Sequence, residues 1–136
     1  MGRAWRRPFL RAVFLDTHTW AWALLRSDRL TAGARLAIAG AEITLVSPVS
    51  MFEIAQKVRI GKWPEMVPLM DDLIPSIERQ KAEIAKLDPA ICIRAGTMAW
   101  SHRDPFDRLL AATALHHGVP IISADSVFDG IVSRIW

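Results

Sequence analysis

A chain of 136 residues, 51% hydrophobic and 23% charged, fits one domain with a substantial buried core. It has no apolar run of the ~20 residues needed to span a bilayer, and no repeat or low-complexity tract. The net charge of +3 is unevenly spread: Arg3, Arg6, Arg7 and Arg11 precede the first strand candidate, so residues 12–136 are slightly acidic. The domain is therefore not a nucleic-acid binder by bulk charge. Residues 1–11 read as a basic arm: a nonspecific phosphate contact, a disordered leader or a misassigned start codon. No signal-peptide apolar region precedes a small-residue cleavage site. The lone Cys92 excludes an internal disulfide and is read as a small helical hydrophobe; the expected compartment is the cytoplasm.

In chain order, Ala12-Val-Phe-Leu-Asp16 reads as a short buried strand ending in an acid, followed by a helix over Thr17–Leu25. In that helix Trp20, Ala23 and Leu24 fall at helical spacing and Trp22 lies off the stripe. A helix over Thr31–Ala39 ends at Gly40, and Ile43-Thr-Leu-Val46 is the second strand. Pro48 suits a first helical position, and Met51–Ile60 is the helix it introduces, stopped near Gly61. Met66–Gln80 is expected to be helical despite Pro68 and Pro75, and Glu83–Leu87 to be a short strand. Asp88-Pro89 starts a helix to about Trp100, and Asp104-Pro105 starts one through His117, stopped by Gly118. Val119–Ser123 and Ile131–Trp136 are the last strands. The expected fold class is α/β: one domain with a central, mostly parallel sheet and helices on both faces.

Ligands of open α/β sheets bind beyond the carboxyl ends of the strands. Asp16 ends the first strand and Asp125 follows the strand that closes at Ser123. Glu53 lies about one turn into the helix after the second strand, and Asp107 in the first turn of the helix feeding the Asp125 strand. Each acid has a plain structural explanation. Ser50-Met-Phe-Glu53 matches a capping box, Asp104-Pro-Phe-Asp107 a capping Asp with a dipole-favoured acid, and Asp16 and Asp125 post-strand turns. Gathered at one sheet edge, however, they repel one another, and such a cluster needs a cation. All-oxygen ligands without a Cys/His cluster suit Mg²⁺, with Mn²⁺ able to substitute, rather than zinc.

Four segments carry a resemblance, in order along the chain. They are Phe14-Leu-Asp-Thr-His-Thr-Trp20, Ser47-Pro-Val-Ser-Met-Phe-Glu-Ile54, His102-Arg-Asp-Pro-Phe-Asp-Arg-Leu-Leu-Ala-Ala112 and Ile122-Ser-Ala-Asp125. Together they resemble the motifs of PIN-domain ribonucleases, and most closely those of VapC-type toxins of prokaryotic toxin–antitoxin pairs. The resemblance covers residues 12–136. It implies that Asp16, Glu53, Asp107 and Asp125 are the catalytic, metal-holding acids, supported by Thr17, Ser123 and Asp104, with Asp104 a cap or outer group. Ser123 stands where Thr is more usual in that family. The implied activity is metal-dependent hydrolysis of RNA phosphodiesters, by in-line attack of water that a carboxylate such as Glu53 or Asp107 orients. The implied partners are an RNA substrate, a cognate VapB-type antitoxin lying in a groove near helices 17–25 and 51–60, and a second copy in a homodimer.

The remaining polar residues read structurally. His18, His102, His116 and His117 match no zinc spacing; His116 and His117 close a helix, and His102 enters one, with RNA contact near the acids as the other reading. Arg103 and Arg108 read as solvent-facing or ion-paired, with phosphate contact as the other reading. Trp20 and Trp22 are core or interface residues, or a stacking surface. A rival assignment, an aspartyl-nucleophile phosphatase, wants a second Asp two residues after Asp16, where His18 stands. A second rival is a non-catalytic PIN-like module binding RNA or protein; such modules lack one or more of the acids, all of which stand in this chain.

Overall fold

The computed structural model describes residues 11–136, so the basic arm lies outside the described residues except for Arg11. Arg11 donates from Nη2 to the Gly40 carbonyl at 2.7 Å. The strands are β1 (Ala12–Leu15), β2 (Ile43–Val46), β3 (Ala82–Ile84), β4 (Ile121–Ile122) and β5 (Arg134–Ile135). They form one sheet in the order β3-β2-β1-β4-β5, and every neighbouring pair is parallel. The chain winds outward from β1 through β2 to β3, then returns to the other side of β1 for β4 and β5. The winding therefore reverses between β1 and β4, at the point where such sheets open a crevice for ligand.

Six α-helices connect these strands: α1 (Thr17–Leu25), α2 (Ala32–Gly40), α3 (Pro48–Arg59), α4 (Leu73–Arg79), α5 (Pro89–Thr97) and α6 (Pro105–His117). Strand alternation sorts the core into two layers. Ala12 and Phe14 of β1 pack with Leu45, Leu110, Ala111 and Phe128 on the α6 side. Val13 and Leu15 pack with Trp20, Val46, Ile54, Met66 and Ile122 on the α1 side. Helix α3 contributes Val49 to the first layer and Ile54 to the second, which fixes it beside the crevice. The expected α/β architecture with helices on both faces is the observed one.

Local chemistry explains the helix starts. Asp16, Thr31, Ser47, Asp88 and Asp104 each accept an amide of the first turn through the side chain, satisfying donors that a helix N-terminus leaves open. Gly118 ends α6 at φ +65°, a backbone state that a Cβ disfavours. The segment expected to be one helix over 66–80 is instead a 3₁₀ turn over Pro64–Asp72 followed by α4. Proline explains the division. Pro68 has no amide to donate and stays in the tighter turn, whereas Pro75 falls in the first turn of α4, where no amide donor is needed.

The loop between α5 and α6 has a single organiser. Helix α5 stops at Thr97, short of the expected Trp100, and Arg108 gathers carbonyls of the helix's last turn and of the loop that follows. Its Nε donates to Ala95 O at 2.8 Å, Nη1 to Trp100 O at 2.7 Å and His102 O at 2.9 Å, and Nη2 to Met98 O at 2.7 Å. The guanidinium therefore faces inward, and Arg108 is neither a phosphate contact nor a solvent-facing or ion-paired residue. A lysine cannot reproduce a planar fork of donors. Arg108→Lys is expected to lower stability by about 1–3 kcal/mol, the cost of leaving buried carbonyls unsatisfied. The check is the urea midpoint at constant slope; an unchanged midpoint would show that the loop holds its shape without the fork.

Candidate active site

Asp16 stands just past β1 at the crevice and is only 7% exposed. Both carboxylate oxygens are engaged. Oδ1 accepts the Thr19 amide at 2.8 Å, which caps α1, and Oδ2 accepts the Ser123 hydroxyl. Ser123 follows β4, and its Oγ also accepts the Asp125 amide at 3.0 Å, so one serine ties the first acid to the last. Thr19 Oγ1 donates to Ile122 O at 2.8 Å, a further tie between α1 and β4. Burial pushes the Asp16 carboxyl above its ordinary range, opposed by the hydrogen bonds from Ser123 and Thr19.

Glu53 is buried in the second turn of α3. The capping-box reading of Ser50 and Glu53 does not hold, because the helix starts earlier. Pro48 is its first residue, and Ser47 is the cap, accepting the Val49 amide at 3.0 Å. Ser50 is thereby free for another partner, and its hydroxyl lies 2.9 Å from Thr17 Oγ1, linking α3 to α1. Glu53 pairs instead with Lys57, one turn along, at 3.0 Å.

Asp107, in the first turn of α6, lies 2.7 Å from His102 Nε2. Burial raises its pKa first; the charges of Asp104 and Asp125 push the same way, and the His102 bond opposes them. Asp104 is exposed and caps α6 through the Phe106 amide at 2.8 Å, in keeping with the cap expected from sequence. Asp125 is exposed and caps the 3₁₀ turn Ser126–Phe128 through the Val127 amide at 3.0 Å.

Asp16, Glu53, Asp107 and Asp125, with Thr17 and Asp104, line one open cavity of about 480 Å³. Ser123 stands behind it as the partner of Asp16. At one end of the cavity Asp104 and Asp107, with His102 beside them, each offer one ligand atom, all within 4.8 Å of one another; Asp16, Glu53 and Asp125 are not part of that close cluster. The donor set is carboxylate oxygen with a single imidazole, which suits a hard divalent cation. Two of the carboxyls, Asp16 and Asp107, are held where ionisation is disfavoured, and a cation among them would remove that penalty.

Some side chains at the site escaped sequence reading. His102, taken as a helix-entry residue, bonds to Asp107 across the start of α6, a relation with no periodic signature. Arg29 and Lys57 bring positive charge to the cavity. Lys57 was legible as an i+4 partner of Glu53, whereas Arg29 comes from the loop after α1 and had no signal. Trp20 is fully buried and cannot present a stacking surface; Trp22 lines the cavity.

A family model described as the PIN domain matches residues 13–132. Ribonuclease VapC22 of Mycobacterium tuberculosis is 28% identical over 117 residues, covering 85% of this chain and 88% of that protein. Two solved structures share the fold. VapBC2 from Rickettsia felis bound to a DNA fragment from its promoter has TM-score 0.64 and 14% identity, covering 90% of this chain and 96% of that one. A toxin–antitoxin complex from Klebsiella pneumoniae has TM-score 0.61 and 16% identity, covering 91% and 96%. With ordered acids at the crevice of a parallel sheet and a family match over nearly all of its length, the chain belongs to the PIN-domain family.

Proposed function

We propose that this protein is a divalent-metal-dependent endoribonuclease, the toxin of a VapBC-type toxin–antitoxin pair. The observation that carries the reading is the meeting of Asp16, Glu53, Asp107 and Asp125 on one cavity at the sheet's switch point. The curated relative named as a ribonuclease supports the activity, and the toxin–antitoxin complexes among the structural neighbours support the partner. Asp16, Asp107 and Asp125 would hold Mg²⁺ or Mn²⁺, with Asp104 and His102 close behind. When bound, such an ion supplies Lewis acidity toward water and phosphoryl oxygens.

The chain's own residues do the positioning. Ser123 and the Thr19 amide hold Asp16 in one orientation, and His102 does the same for Asp107. Glu53, paired with Lys57, would join the metal-holding acids, and either it or Asp107 would orient or deprotonate the attacking water. Lys57 and Arg29 meet the charge of the RNA backbone at the cavity margin. On the antitoxin side, Phe52 of α3 and Ile60, which caps its C-terminal end, are exposed apolar residues suited to a partner helix. On α1, Trp22 to Leu25 are half-buried rather than freely exposed, so α3 offers more of the expected groove. The proposed assembly remains a homodimer bound to a VapB-type antitoxin.

Activity tests the acids directly. Asp16→Asn and Asp107→Asn are each expected to slow RNA cleavage with Mn²⁺ by more than about 100-fold, beyond the 10- to 100-fold typical of groups outside the ligand set. Undiminished cleavage by either variant would remove that residue from the site.

Stability supplies a second test that needs no substrate. Because the folded pKa of Asp16 is raised above its ordinary 3.8, the unfolded chain ionises first as pH rises. Asp16 therefore costs the metal-free protein stability progressively from about pH 3.8 up to the folded pKa, and the cost is constant above it. Asn keeps a capping oxygen without the charge. In chelator, Asp16→Asn should gain on the wild type as pH rises through that window, with a melting midpoint at neutral pH equal or higher. Mn²⁺ at 100 times its Kd should stabilise the wild type by about 2.7 kcal/mol and Asp16→Asn by much less. An equal Mn²⁺ response in both proteins would show that Asp16 holds no metal.

A further inference from the structure

The acid cavity has a second wall of different chemistry. Trp22, His18, Arg29 and Lys57 line it together with the acids. Their rings are packed in sequence: His18 lies 4.9 Å from Trp63 and 5.6 Å from Trp22, and Trp22 lies 5.8 Å from Trp136. The two cations are set over the same rings, Arg29 at 5.8 Å from the Trp22 centroid and Lys57 at 5.4 Å from that of Trp63. Trp63 is nearly buried and backs the wall. His18 is exposed and Trp22 half-buried, so these two rings form its open surface.

Trp22 serves two surfaces, since it packs against the α1-side core layer and also lines the cavity. On α1 the core takes Trp20 and Ala21 completely, while Trp22, two residues on, points to a different side of the helix and reaches the cavity. Tilted contacts with His18 and Trp136 hold the indole, so little side-chain freedom remains to be lost when another ring packs on it. Beside the wall stand two cations, in a domain that is otherwise slightly acidic. An aromatic surface flanked by cations and open to an acid cavity matches an unpaired base with its phosphates. Lys57 already has Glu53 as a counter-charge, whereas Arg29 would gain none from an apolar peptide and would gain one from a phosphate.

We infer that Trp22 and His18 form a nucleobase-stacking subsite on the wall of the acid cavity, seating one unpaired base of single-stranded RNA while Arg29 and Lys57 meet the adjoining phosphates. The inference rests on the ribonuclease reading and adds to it a reason for cutting unpaired RNA at a fixed distance from a seated base.

The test combines a protein change with an RNA change. Short single-stranded RNAs carrying one abasic nucleotide at successive positions are titrated by fluorescence anisotropy, on the Asp107→Asn background so that the RNA survives. Stacking contributes about 1–3 kcal/mol per base, so Trp22→Ala should weaken Kd by about 5- to 150-fold and Trp22→Phe by much less. One abasic position should cost the Trp22-containing protein a similar factor and cost Trp22→Ala little more, because both changes remove the same contact. A flat abasic scan, unchanged binding by Trp22→Ala, or fully additive losses would each overturn the subsite. Should Trp22→Ala fail to fold, the abasic scan on the Trp22-containing protein decides alone. If Trp22→Ala keeps RNA affinity but loses a co-expressed antitoxin, the wall is a protein interface and the inference is wrong. RNA cleavage by the wild type with Mn²⁺ separates the two claims: cleavage with a flat scan defeats only the subsite, whereas no cleavage of any RNA defeats the ribonuclease reading beneath it.

Discussion

A carboxylate at the end of a buried strand is costly to ionise, and the geometry of this protein is organised around meeting that cost at Asp16. The side chain sits where β1 leaves the sheet, with the Thr19 amide on one oxygen and the Ser123 hydroxyl on the other. The first bond is local and comes with the start of α1. The second exists only because β4 lies beside β1, through the pairs Phe14–Ile121 and Leu15–Ile122. The two bonds orient the carboxylate without supplying positive charge, so burial still holds its pKa up. That unpaired charge is the physical argument for the proposed cation, and the other acids line the same cavity.

The second half of the site depends on the start of α6. Asp104 caps the helix, Asp107 stands in its first turn, and His102 approaches Asp107 from the preceding loop. The loop would have several unsatisfied carbonyls if it lacked Arg108, whose fork takes three of them and one from the last turn of α5. A residue that neighbours the acids in sequence thus serves them by facing away from the cavity. Asp104 and Asp125 work in the opposite sense, raising the cost of ionising Asp107 from the solvent side. The arrangement stores repulsion at the point where a divalent ion would relieve it.

Charge on this domain acts locally rather than in bulk. Apart from the four arginines at positions 3, 6, 7 and 11, the chain carries slightly more acid than base, yet Arg29 and Lys57 stand at the cavity itself. In the proposed function, affinity for a polyanion would come from a few positioned cations, a metal and ring surface, with salt dependence set by a small number of phosphate contacts. The pairing of Lys57 with both Glu53 and the Trp63 ring shows how closely the acidic and aromatic walls adjoin.

The sequence by itself determined the class of fold, the starts of most helices and the identity of the four acids. Those features rest on short-range chemistry: apolar runs of strand length, capping residues before proline, Gly118 at a left-handed stop, and motifs in a fixed order. Even there, local reading failed where two local rules competed, as at Ser50, which fits a capping box only until Pro48 is seen to start the helix a turn earlier. Tertiary structure alone decided the rest. Strand order β3-β2-β1-β4-β5 made Ser123 a partner of Asp16, 107 residues away in the chain. Packing of α1 against α3 and the segment after it made one wall of His18, Trp22 and Trp63, and turned Trp20 into the core instead. No periodicity encodes such contacts, because they depend on which faces meet once the sheet has formed.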